Sequence, residues 1–244
     1  SRQDAYVRSH PLSRDRLRAV EAYAELLGPA TSDHKAAAYW FDRAQAKLES
    51  YLRDPDYTFR RYPTSDQSDS GHIARSVAYS KLGQTDRAFG ELDGLLTTLP
   101  EDPFVWELKG WIALEANRIA PAAAAYGKAA ELAPTEPQIL AGYGRALLAL
   151  NTKADDAHAL EVLQKARTRD GSDPRLMRDL ATAYARTGQP AMASLYTAER
   201  FALVGDLRSA AVHAHRAEAG LSVGSPGWGR AQDIIDAAKR AALK

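Results

Sequence analysis

The sequence contains no cysteine and only two methionines among its 244 residues. The absence of cysteine excludes disulfide bonds, zinc–thiolate sites and a cysteine nucleophile. It leaves the cellular compartment open, because periplasmic and cytosolic domains both often lack cysteine. The sequence also contains no run of about 18 consecutive apolar residues, so we predict no membrane-spanning helix.

Neither sign of charge dominates the chain. Its 32 basic and 31 acidic residues give a formal net charge of +1. A chain with this balance has no overall field that attracts a polyanion, so we predict no nucleic-acid partner.

Patterns that indicate catalysis are also missing from the sequence. It contains no Walker, Rossmann or H-E-x-x-H motif. His213 and His215 would point roughly 200° apart on a helix, which argues against a shared metal ion. Asp155 and Asp156 are interpreted as helix-starting residues rather than an acid/base pair. We therefore predict that the chain is not an enzyme and contains no catalytic residue, metal ligand or cofactor site.

An internal repeat is the main positive feature of the sequence. Alanine, the best helix former, is abundant, and Pro103 and Pro137 lie 34 positions apart. The copy that starts at Pro103 matches the tetratricopeptide-repeat (TPR) pattern of two helices in order and spacing. Its matching residues are Trp106, Gly110, Ala122, Tyr126, Ala129 and Pro134.

Three further copies start near Asp69, Pro137 and Pro174. The third copy needs about three extra residues, 153–155, which we interpret as a lengthened turn between its two helices. Gly205 and Ala210 follow Gly188 and Ala193 by 17 positions, which indicates a half-repeat. The helix at about 190–204 would then close one repeat and open the next.

The predicted fold is all-α, a TPR-like right-handed helical solenoid with extra N-terminal helices and a C-terminal capping helix. Residues 1–68 are expected to hold helices at about 13–27 and 32–52 and a linker, and to pack on the array. Residues 69–244 are expected to form about four repeats, a half-repeat and a cap at 228–243.

The predicted binding surface is the concave groove, which the first helix of each TPR lines through its positions 2, 5, 9 and 12. Trp111 and Phe104 would be apolar anchors for an extended or helical peptide. The early half of the groove is apolar with acidic residues around it, and the later half is basic. The alternative is that these charges are solvated helix faces. The candidate partner-binding residues are Phe104, Glu107, Trp111, Leu114, Arg145, Arg175 and Arg178.

Stretches near both ends of the chain resemble a known family. Residues 6–16, YVRSHPLSRDR, resemble the THP-x-S-x-R segment that follows the protease domain in BepA-type periplasmic zinc metalloproteases. Further similar stretches are RRYP at 60–63, ELKG at 107–110, MASL at 192–195, AER at 198–200, GDL at 205–207, GSPGW at 224–228 and RAQD at 230–233.

The resemblance implies the C-terminal TPR domain of such a protease, without the catalytic domain. Zinc would belong to that missing domain, and no family metal ligand maps onto this sequence. The start at Ser1 without methionine indicates a segment cut from a longer protein. The implied location is periplasmic, and the implied partners are the chain's own protease domain and outer-membrane assembly proteins or unfolded substrates.

Two alternatives to this interpretation stay open. One is a free-standing TPR adaptor or assembly scaffold that binds peptides without any link to a protease. The other is a hidden enzyme, which zinc-stimulated peptidase activity dependent on His213 and His215 would reveal.

Overall fold

The computed structural model describes residues 34–243, and the chain divides into two compact units, Ser1–Gln45 and Ala46–Lys244. Residues 34–45 of the first unit are described, and they contain the start of a helix. The helix predicted at 13–27 lies outside the described residues. All regular structure among the described residues is helical, which confirms the predicted fold class.

Twelve α-helices are present between residues 34 and 243. They are α1 (Lys35–Leu52), α2 (Pro55–Arg61), α3 (Asp69–Lys81), α4 (Thr85–Thr98), α5 (Pro103–Glu115), α6 (Ile119–Leu132), α7 (Pro137–Leu150), α8 (Lys153–Arg169), α9 (Pro174–Arg186), α10 (Pro190–Leu203), α11 (Leu207–Gly220) and α12 (Pro226–Ala242).

Several helices begin with a capping residue followed by proline. The side chain of Asp102 accepts hydrogen bonds from the backbone N–H groups of Phe104 (2.9 Å) and Val105 (3.1 Å). Asp173 accepts one from the N–H of Arg175 at 2.8 Å. These bonds satisfy N–H groups that have no partner within the helix, and the following proline has none to satisfy. The repeat boundaries are therefore fixed by local chemistry.

Helix α10 belongs to two helix pairs, as the half-repeat predicts. Gly188 and Gly205, with φ angles of 78° and 81°, form the left-handed turns before and after it. Helix α10 packs against both α9 and α11. It also contacts α12, just as α5 contacts α7 and α7 contacts α9. It is thus the second helix of one pair and the first helix of the next.

The extra residues of the third repeat extend a helix instead of a turn. Asn151 and Thr152 alone separate α7 from α8, and α8 has 17 residues where α6 has 14. The Thr152 hydroxyl accepts a hydrogen bond from the N–H of Asp155 at 3.2 Å and caps the added turn. The predicted lengthened turn is therefore wrong, because a capped helical turn satisfies the inserted backbone internally. Asp155 and Asp156 do start the helix, as predicted.

The second repeat packs around Tyr126, whose ring is only 2% exposed. The ring lies between Gly110 of α5 and Gly142 of α7. A Cβ atom at Gly110 would lie 2.6 Å from Cδ2 of Tyr126, and one at Gly142 would overlap Cε1. Burial, with the negative charge of Glu107, raises the pKa of the Tyr126 phenol well above its ordinary value. The two glycines therefore let three helices approach closely around one aromatic ring.

Candidate partner-binding surface

The end of helix α1 lies over the part of the predicted groove that α5 contributes. Lys47 Nζ donates a hydrogen bond to Glu107 Oε2 at 2.7 Å. The ring of Tyr51 meets the ring of Trp111 edge-on, with 6.0 Å between centroids and an interplanar angle of 62°. Such edge-to-face pairs are favourable beyond the area they bury. Two of the predicted groove residues are thus already in contact with the chain's own helix.

Lys81 at the end of α3 fixes this segment of α1. Its ammonium group donates hydrogen bonds to the carbonyls of Ser50 (3.2 Å), Tyr51 (2.9 Å) and Arg53. The last carbonyls of a helix have no partner within the helix and carry partial negative charge, so a lysine there is stabilising. Residues 47–53 are therefore held both by contacts with α5 and by hydrogen bonds from α3.

Trp111 and Leu114 pack inward as well as toward the groove. Trp111 is partly buried and contacts two apolar clusters, one around α3, α4 and α5 and the other around Tyr126. Leu114 is partly buried against the second cluster. Phe104, at the start of α5, is 42% exposed. The structure therefore gives Trp111 a packing role, while contact of these residues with a partner remains a prediction.

Replacement of Trp111 by alanine is expected to lower the free energy of unfolding by about 2–3 kcal/mol. The loss is smaller than for a fully buried tryptophan, and it arises because both clusters lose a shared contact. Urea denaturation followed by circular dichroism measures this change. Val223→Ala is the control, because Val223 is 83% exposed and its loss should change the stability by less than about 0.5 kcal/mol. Equal stabilities of the two variants would contradict the packing role.

The basic residues predicted for the later half of the groove are partly used within the array. Arg145 Nε donates to Asp179 Oδ2 at 2.8 Å, which ties α7 to α9. Arg178 donates to the other oxygen, Oδ1 of Asp179, at 3.2 Å. Asp179 is buried, so the two arginines supply the charge that its burial requires. Arg175 is exposed near the start of α9.

A groove of about 510 Å³ lies between α9, α10 and α11. We call it the basic groove. Its lining combines arginine side chains with small residues, and three of its α9 residues occupy groove positions of a first TPR helix. It is lined by Arg178, Ala181, Thr182, Ala185, Arg186, Ala193, Ser194, Thr197, Arg200, His213 and Arg216. None of these eleven described residues is acidic.

Two of the four arginines in the basic groove have internal ion-pair partners. Arg178 pairs with Asp179, and Arg186 Nη1 lies 3.0 Å from Asp156 Oδ1. Arg200 and Arg216 have no ion-pair partner among residues 34–243. The groove therefore presents two guanidinium groups whose charge the described part of the chain does not balance.

His213 adds a largely neutral group to the basic groove at neutral pH. Its ring stacks on Phe201 with 5.5 Å between centroids and an interplanar angle of 15°. Partial burial and the positive charge of Arg216 lower the pKa of His213 below its ordinary value. The guanidinium of Arg200 lies 5.0 Å from the centroid of the same Phe201 ring. The described charges of the groove therefore come from its arginines.

Sequence reasoning reached the α9 side of the basic groove but missed Arg200, His213 and Arg216. The prediction counted groove positions only on first helices of complete repeats, and these three residues lie on α10 and α11. The half-repeat at Gly205 and Ala210 signalled that α10 pairs twice. That signal alone does not show which face of α10 stays open.

No helix in the described part of the chain combines the length and apolarity that crossing a bilayer requires. Within the same residues, no group of three or more histidine or acidic side chains is placed to hold a metal ion.

Comparison with known proteins identifies the repeat type. Residues 92–201 match the family model of the cytochrome c-type biogenesis protein H TPR domain. The search of curated proteins finds no match. Among solved structures, MamA MSR-1 has a TM-score of 0.53 at 19% identity and covers 71% of this chain and 98% of its own. MamA AMB-1 has a TM-score of 0.55 at 20% identity and covers 67% of this chain and 95% of its own.

These likenesses agree with the repeat read from the sequence. At such identities the MamA structures establish the fold, and the family match adds the repeat class for the segment from α4 to α10. The chain therefore contains a TPR-type protein-interaction domain that is similar, over residues 92–201, to the TPR domain of cytochrome c-type biogenesis protein H.

Proposed function

We propose that the chain is an adaptor or assembly scaffold that binds a segment of a partner protein in the basic groove. The observation that carries the proposal is the contrast between the predicted groove residues on α5 and the basic groove. Glu107 and Trp111 are in contact with α1, whereas Arg200 and Arg216 line an open groove without ion-pair partners among the described residues. An open charged concavity on a rigid helical array is suited to holding a peptide.

The comparisons support an assembly role more than a link to a protease. The matching family model is that of the cytochrome c-type biogenesis protein H TPR domain, and its description contains no protease. The MamA structures support the same fold. A scaffold of this kind acts by holding its partners, so it requires a binding surface and no catalytic group.

A second candidate function follows from the resemblance of the two chain ends to BepA-type proteases. In that case the domain would recruit outer-membrane assembly proteins or unfolded outer-membrane protein substrates and regulate access to a zinc protease domain. The periplasmic location is proposed on the same resemblance. On that resemblance, zinc would belong to the protease domain.

Site-specific photocrosslinking tests the proposed binding surface. A photoreactive amino acid replaces Ala185, which lines the basic groove, or Glu161, an exposed residue of α8 outside it. We expect a covalent adduct with a partner protein from position 185 and none from position 161. Adducts of equal yield at both positions, or at neither, would contradict binding in the groove.

Calorimetric titration separates the two candidate functions. The chain is titrated with a BepA-type zinc peptidase domain that is expressed separately. An adaptor without a protease link should give no heat of binding, whereas a regulatory domain should bind measurably. Saturable binding would therefore replace the adaptor proposal by the second candidate.

A further inference from the structure

We propose that the segment bound in the basic groove is an extended acidic peptide, rich in aspartate and glutamate. This inference rests on the proposed function and adds the chemistry of the partner. It depends on three properties of the groove, which are its charge, the size of its lining side chains and the lack of a free aromatic surface.

The charge of the groove is local and unbalanced. The chain as a whole has a formal net charge of only +1, yet the groove lining holds four arginines and no acidic residue. Asp179 and Asp156 each pair with one of these arginines, Arg178 and Arg186. Arg200 and Arg216 then remain available to pair with negative charge from outside the described residues. Carboxylates match the planar guanidinium fork, so acidic side chains are its natural partners.

The small lining residues favour an extended peptide over a helical one. Ala181, Ala185 and Ala193 leave room for a peptide backbone to approach the helices. A helix bound in a groove relies on large apolar anchors at successive turns, and this groove offers arginine heads instead. The hydroxyls of Thr182 and Thr197 donate to the carbonyls of Arg178 and Ala193 within their own helices. We therefore expect the arginine side chains to make the main polar contacts with the bound peptide.

The same lining argues against single-stranded nucleic acid. Binding of that class relies on aromatic side chains on which bases stack, alongside basic residues. The lining contains no phenylalanine, tyrosine or tryptophan among its described residues. Phe201 lies beside the groove, but its ring stacks with His213. A carboxylate-bearing peptide fits these features better than a phosphate backbone with bases.

Fluorescence anisotropy with labelled synthetic peptides tests the proposal. The probe is a fluorescein-labelled peptide of glutamate and serine, and its control has glutamine in place of every glutamate. We expect the intact chain to bind the acidic peptide and not the glutamine peptide. Added salt should weaken the complex, because the arginines of an open groove are screened.

Substitution of both unpaired arginines locates the site. R200Q together with R216Q should weaken binding of the acidic peptide by about a hundredfold, or about tenfold for each lost charge-assisted contact. The matched control is R169Q with R240Q, which removes the same charge from exposed positions outside the groove. It should change the affinity by less than about threefold, as expected for screened charges. Circular dichroism checks that both variants are folded.

Four results would overturn the proposal. They are equal binding of the glutamine peptide, absence of binding by the acidic peptide, equal losses in both double variants, and tighter binding of a single-stranded oligonucleotide of the same length. Crosslinking from position 185 keeps this inference distinct from the proposed function. A partner captured there through a non-acidic segment would overturn the acidic peptide and leave the scaffold function in place.

Discussion

Replacement of Arg75 by alanine is expected to lower the free energy of unfolding by about 3–5 kcal/mol. Arg75 is 1% exposed. Its Nε and Nη2 donate to the two oxygens of Glu91 at 2.9 and 2.8 Å, and its Nη1 donates to the carbonyls of Pro63 (2.9 Å) and Asp66 (2.7 Å). The variant leaves all of these acceptors without this donor, and among the described residues Glu91 keeps only His72 as a side-chain partner.

The same variant should lose part of the acid sensitivity that Glu91 gives to the folded chain. Burial alone would raise the pKa of Glu91, but the hydrogen bonds and charge of Arg75, assisted by His72, hold it below the ordinary value. Ionised Glu91 therefore adds stability above the ordinary glutamate pKa of about 4.3, and this stability disappears as pH falls through the lower folded value. Without Arg75 the pKa of folded Glu91 should rise toward the ordinary value, so this acid-dependent loss should shrink. The difference in stability between the unchanged chain and the variant should therefore narrow as pH falls.

Urea denaturation at several pH values measures both effects of the Arg75 substitution. The control is Arg60→Ala, because Arg60 is exposed in the last turn of α2 and its loss should cost less than about 0.5 kcal/mol. If Arg75→Ala unfolds at the same urea concentration as the control, the ion pair between Arg75 and Glu91 does not stabilise the fold.

Replacement of Gly142 by alanine is expected to destabilise the domain by about 1–3 kcal/mol, although alanine is the better helix former. The added methyl group would overlap Cε1 of Tyr126, and the buried ring cannot retreat because Gly110 lies on its other side. Thermal unfolding measures the change.

Gly90→Ala is the matched control for this substitution. Gly90 also lies within a helix, α4, but a Cβ atom there would meet nothing within 4 Å. Alanine at this position should be neutral or stabilising by up to about 1 kcal/mol, because it restricts the unfolded chain. A stabilising Gly142→Ala would show that Tyr126 can move, and would contradict the close packing of α5 and α7.

Much of the fold could be predicted because each repeat places capping residues, prolines and turn glycines at fixed positions. Each of these residue types marks a helix start or a helix end for a known physical reason. Asp102 and Asp173 before proline marked helix starts, and Gly188 and Gly205 marked helix ends. These are local signals that a sequence carries in full. The half-repeat was found in the same way, since its glycine and alanine keep their spacing.

The features that escaped prediction depend on contacts between distant segments. The pairing of Lys47 with Glu107 and of Tyr51 with Trp111 joins residues 60 positions apart, and no periodic pattern indicates it. The extra residues of α8 were assigned to a turn, because a helical turn and a loop of three residues look alike without the cap at Thr152. The division of the chain at residues 68 and 69 and the seven groove residues remain predictions.

Only the α9 side of the basic groove could be predicted from the sequence. Arg178 stood at a position that repeat geometry points into the concave face, so its placement could be read directly. Arg200 and Arg216 come from helices that the repeat pattern does not orient. Their proposed role in binding rests on the absence of ion-pair partners among the described residues. The sequence alone does not show which charged side chains pair.

The double role of α10 also limits how this helix can vary. Tyr196 packs in the cluster around α7, α8 and α9, whereas Leu195 and Ala198 pack in the cluster with α11 and α12. Met192 contacts both clusters. A helix that packs in one pair tolerates substitutions on the side that faces solvent. Helix α10 packs on two sides, and its third side lines the basic groove. Natural variants of this protein should therefore accept fewer replacements in α10 than in α6.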